Sequence, residues 1–77
     1  MTSEQLRFAH TAKPFLPFTI HTADGVAHPI PHPEFLAHAP GARTCAVSNQ
    51  SGLVSVIDLA RVTRLTTEPV EAASSTD

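Results

Sequence analysis

The sequence predicts a mostly β fold of the α+β kind. An N-terminal helix precedes a five-stranded, strongly bent antiparallel sheet or a small barrel. Three observations lead there. Turn signals recur at short spacing, at Asp24-Gly25, Pro40-Gly41 and Asn49-Gln50-Ser51-Gly52. The segments between them are short and rich in β-branched or alternating apolar residues. The chain has 77 residues, which allows one domain with a modest core. Closing a small sheet protects its edges, which favours a barrel over an open sheet with the helix on one face.

The helix is expected from Ser3 to Thr11, with Ser3 as N-cap, Glu4 suiting the positive end, and Leu6, Phe8 and Ala9 forming a partial apolar stripe. Pro14 stops it and biases Lys13 towards extended backbone. Phe15–Ala23 reads as a strand, with Phe18 and Ile20 on one face and Thr19 and His21 on the other. Asp24-Gly25 supplies a tight hairpin turn, and Val26–Pro31 returns. Pro29 and Pro31 have no N–H to donate, so that strand is expected at an edge. In His32-Pro33-Glu34-Phe35 a helical turn is expected, with His32 as cap, Pro33 at the first position and Phe35 and Leu36 in the core.

Phe35–Ala39 and Thr44–Ser48 read as short strands joined by Pro40-Gly41. Leu53–Ile57 is nearly continuous in apolar character, which suggests burial on both faces or in a subunit contact. Asp58 is expected to cap one helical turn before a last strand, Val62–Thr66. Residues 1–66 thus form the domain. Residues 67–77, TEPVEAASSTD, are expected to be a disordered tail.

Composition excludes several classes. Cys45 is the only cysteine, so no internal disulfide or paired-cysteine zinc site exists. The first residues, MTSEQLRFAH, lack the apolar stretch of an export signal, and no run is long enough to span a bilayer. A cytoplasmic chain without membrane contact is the expectation. The net charge of −2 is concentrated in the tail, where Glu68, Glu71 and Asp77 lie. Up to Leu65 the bases Arg7, Lys13, Arg43, Arg61 and Arg64 face Glu4, Asp24, Glu34 and Asp58. That near balance lacks the dense basic stripe of strong nucleic-acid binders.

The series KPFLPFTIHTADG, HPEFLAHAPGAR and VIDLARVTRL resembles a widespread group of short uncharacterised bacterial proteins, over roughly Lys13–Leu65. The resemblance names a pattern and implies no mechanism. The order of helix, five strands and a helical turn before the last strand is also similar to the Sm-like barrel, an analogy of architecture only. Sm-like RNA binders use rings and basic or aromatic pockets. Here Tyr and Trp are absent and the four phenylalanines read as core.

Three function classes remain. The first is a non-enzymatic interaction module that binds itself or a protein partner, with Leu53, Val54 and Val56 as contact residues. The second is nucleic-acid binding through Arg43, Arg61 and Arg64. The third is a metal site. His21 and His28 stand three residues out on either side of Asp24-Gly25 and would face each other across a two-residue hairpin, with His32 or Glu34 to complete the set. The bland alternative for each is a solvated or structurally bonded side chain. Catalysis by the lone chain is not expected, and no cofactor is implied. Cys45 reads as a small core residue. The three glycines lie in separate turns, so no phosphate loop exists. Ser55, Asp58 and a histidine make no specific triad, and so short a chain offers little room for a deep pocket.

Overall fold

The computed structural model describes residues 1–67. Helix α1 runs Ser3–His10, followed by β1 (Phe18–Thr22), β2 (Ala27–Ile30), a 3₁₀ turn (Pro33–Phe35), β3 (Leu36–Ala37), β4 (Thr44–Ser48), β5 (Val54–Asp58), a second 3₁₀ turn (Leu59–Arg61) and β6 (Val62–Thr67). The fold is mostly β with one short N-terminal helix, as the turn spacing predicts. Its strands number six among the described residues, in two antiparallel sheets ordered β2-β1-β6 and β3-β4-β5. Among the described residues neither sheet is closed and no ladder joins them, so the structure does not show one bent five-stranded sheet or a barrel.

The prolines give a physical reason for the break between β2 and β3. Pro31 and Pro33 carry no N–H, and the 3₁₀ turn follows at once, so the β2 ladder cannot continue into β3. The second crossing is at Asp58. Its carboxylate accepts from Ala60 N–H at 2.9 Å, capping the second turn as the sequence predicts. That turn is tied to both sheets, because Leu59 N–H donates to the Arg43 carbonyl and Ala23 N–H to the Arg61 carbonyl, each at 2.8 Å.

The core lies between the two sheets. Phe18, Ile20, Ile30 and Val62 come from the first, and Leu36, Cys45, Val47 and Ile57 from the second. Leu6 of α1 and Leu59 complete it. Cys45 is a buried core residue, as expected, and removal from water pushes its thiol pKa up. Phe15 and Phe35 pack partly against the cluster. Phe8 departs from the expectation: it is 81 % exposed, because Leu6 takes the core-facing side of α1.

The helix cap also differs. Thr2, not Ser3, is the N-cap, accepting from Gln5 N–H at 3.1 Å while the Gln5 side chain accepts from Thr2 N–H at 3.0 Å. Ser3 is released to pin the helix to the β3–β4 turn, its Oγ accepting from Gly41 N–H at 2.9 Å. Thr11 is the C-cap, so the helix ends at His10.

Both hairpins close in the same way. Thr22 N–H donates to the Val26 carbonyl, and Gly25 N–H to the Thr22 carbonyl. In the other, Asn49 N–H donates to the Leu53 carbonyl, and Gly52 N–H to the Asn49 carbonyl. Each loop therefore holds three residues and ends in a glycine of positive φ, 86° at Gly25 and 89° at Gly52. Asp24 and Asn49 reinforce the loops by accepting from backbone N–H groups of Val26 and of Ser51 and Leu53.

Candidate interaction surface

The three-residue loop at Asp24-Gly25 settles where the histidines go. The register pairs His21 with Ala27 and Ile20 with His28. A slip of one residue moves a side chain to the other face, so His28 joins the Ile20 side while His21 faces outward beside Arg64. The expected pairing of His21 with His28 does not form.

His21 Nε2 lies 2.9 Å from Thr66 Oγ1. His32 holds the N-cap position of the first 3₁₀ turn, but its side chain makes no cap hydrogen bond, and its ring packs on Phe35 at 5.9 Å between centroids. Among the described residues no three His, Cys, Asp or Glu side chains are grouped to hold a metal ion. The remaining histidines bond to backbone. His10 Nε2 donates to the Pro33 carbonyl at 2.9 Å, fastening the end of α1. His38 Nε2 donates to the Ala42 carbonyl at 3.2 Å and also lies 3.2 Å from Ser3 Oγ. Its buried Nδ1 has no partner among the described residues.

The arginines stand apart. Arg43 lines a cleft with Ser3, Gly41 and Asp58. Arg61 lines a different groove with Asp24, His28 and Asp58. Arg64 projects from β6 opposite His21. Each of the two grooves therefore sets an arginine beside at least one carboxylate.

Of the third set, Val54 and Val56 share one face of β5, while Leu53 precedes the strand on the opposite phase. Leu53, Val54 and Val56 are 68, 64 and 73 % exposed. Burial of Leu53–Ile57 on both faces is therefore not observed, since only Ile57 of that run is buried. The reason is topological: the second sheet has one face on the core, and nothing among the described residues covers the other. On that outer face Val54 stands opposite Ser48, Val56 opposite Ala46, and Ala46 opposite Ala37. Phe35 joins them along a shallow groove of about 140 Å³. Alternation in β4, with Cys45 and Val47 inward, marks Ala46 as outward; Phe35 and Ala37 carry no such signal.

The edge of β5 matters as much as its face. Hydrogen-bonded and non-bonded pairs alternate along an antiparallel ladder. Asn49 bonds to Leu53 and Leu59 bonds to Arg43, so Leu53, Ser55 and Ile57 direct their backbone groups to β4. Val54, Val56 and Asp58 then direct theirs away, and no strand among the described residues receives them.

Comparison of the chain with protein-family models, with curated proteins and with solved structures returns no match. No helix among the described residues is long and apolar enough to cross a membrane.

Proposed function

We propose that the chain is a non-enzymatic interaction module that associates with itself through β5. The observation that carries the reading is a conjunction at one strand: exposed Val54 and Val56 have outward backbone groups and no proline. An unpaired apolar edge of this kind is a template for another strand. The small core adds support, because short chains commonly gain stability by association. Sedimentation across chain concentrations, with and without EDTA, tests the reading. A mass that rises to twice 8.2 kDa or more in both conditions supports it. A monomer throughout defeats it, and a mass that falls on chelation transfers the role to the histidines.

A second reading is an Sm-like barrel that binds RNA. What favours it is the 3₁₀ turn before β6 and the return of β6 to pair with β1. The scattered arginines count against it. Salt-sensitive RNA binding, weakened together by Arg43→Ala, Arg61→Ala and Arg64→Ala, is the outcome that reading requires.

A further inference from the structure

We infer that the occupant of the β5 edge is β5 of a second copy, running antiparallel about a two-fold axis at Ser55. The inference rests on the self-association reading and specifies its contact. Among the described residues four strands lie at sheet edges, and three carry a protecting feature. The β2 edge is blocked by proline. Thr22 bonds to Val26, so by alternation Ala27 and Pro29 are the β2 residues that direct their backbone outward, and Pro29 has no N–H to offer. The β3 strand has two residues. The β6 strand carries Arg64 among threonines. The β5 strand, VSVID, has neither proline nor cation.

Two requirements restrict the register. Continuation of one sheet keeps inward residues opposite inward residues, so the axis must pass through a residue. The outward-bonding residues Val54, Val56 and Asp58 must also meet one another. Axes at Ser55 and at Val56 both satisfy them, and only the Ser55 axis keeps Asp58 away from the valines. Val54 then pairs with Val56 of the second copy and exchanges backbone hydrogen bonds with it, and the exposed valines pack as β-branched neighbours across the seam. Leu53, exposed at the strand's start, comes to lie opposite Ile57 of the second copy and extends its core. Asp58 falls opposite Gly52 of the second copy, so the two carboxylates stand at opposite ends of the seam. An axis at Val56 instead sets each Asp58 against an apolar Val54.

The contact is isologous and closed, with the same patch on both chains. A seam of this length is short beside the roughly 800 Å² per partner of standard interfaces, so the dimer is concentration-dependent.

The test uses the full chain carrying Ser55→Cys, oxidised with a glutathione redox buffer and mapped by peptide mass spectrometry. Ser55 is exposed, so the substitution leaves the core intact. Non-bonded antiparallel pairs place Cα atoms about 4.5 Å apart, inside the disulfide range of roughly 4.4–6.8 Å. The expected result is a disulfide between the two position-55 thiols, formed at least tenfold faster than any link through buried Cys45 in the unmodified chain. Preferential linking of Val56→Cys chains overturns the Ser55 axis. Failure of both variants to link, while sedimentation still gives a dimer, overturns the β5–β5 contact and leaves self-association standing. Failure of both with a monomeric mass overturns the two together.

Discussion

The β2-β1-β6 and β3-β4-β5 sheets are built from the same parts. Each contains a hairpin with a three-residue loop ending in glycine, and each lays alternate side chains on the shared core. They differ at the hairpin strand that lies on an edge. In β2 the outward positions include Pro29, and in β5 they include Val54 and Val56. Similar loop geometry therefore leaves one edge without an N–H donor at Pro29 and one with its donors in place at Val54 and Val56. The difference lies in which residue type falls on the outward phase, not in the fold.

The largest expected effect comes from breaking the part the sheets share. Ile20 is fully buried between them, and Ile20→Ala is expected to cost about 2–5 kcal/mol in chemical denaturation. Val54→Ala, on the exposed face, is expected to change monomer stability by no more than about 0.5 kcal/mol at low chain concentration. Equal losses would show that the outer face is already covered within one chain. Next, Val56→Lys places a charge on the open edge and is expected to weaken self-association about tenfold or more, equivalent to about 1.4 kcal/mol, with subunit stability little changed. The converse change, Pro29→Val, restores an outward N–H to β2. It is expected to produce species larger than the dimer in light scattering, and an unchanged mass would show that proline is not the guard.

The smallest effects concern the titrating groups. Burial raises the Cys45 pKa above its ordinary 9.0. The folded state then holds a proton that the unfolded state releases, so this contribution to stability is lost as pH rises above the unfolded value. A Cys45→Ala chain is expected to lack that alkaline decline. At the first hairpin, the Thr22 hydroxyl and then the Val26 N–H hold Asp24 below its ordinary 3.8. The stability it contributes is complete above the unfolded value and lost as pH falls through the lower folded one. Wild type and Asp24→Asn are therefore expected to converge in strong acid.

Much of this architecture was legible from residue types. The Asp58 cap, the edge position of β2, the three turns and the burial of Cys45 each follow from a local chemical requirement that one residue states. Features set by competition between near-equals were not. Thr2 and Ser3 are both good caps, and the choice fell to Thr2 because Ser3 Oγ reaches Gly41. Asp-Gly fits a two-residue loop or the last positions of a three-residue one, and that single residue decides whether His21 meets His28. The apolar run Leu53–Ile57 states a preference for burial without naming the neighbour, so its exposure emerged only with the topology. Phe8 is exposed for a similar reason, since a short helix beside small sheets buries little more than Leu6. The first residue of the expected tail, Thr67, belongs instead to β6. The tail's other residues lie outside those described.

On the proposed contact, the outward amides of β5 are the ones that assembly covers. Amide hydrogen exchange followed residue by residue over a wide range of chain concentrations tests it most directly. Val54 and Val56 are expected to exchange freely when dilute and to become protected as concentration rises, while outward-facing Ala27 of β2 exchanges at one rate throughout. Exchange at Val54 and Val56 that stays fast at every concentration, or protection that appears at Ala27 instead, would contradict it.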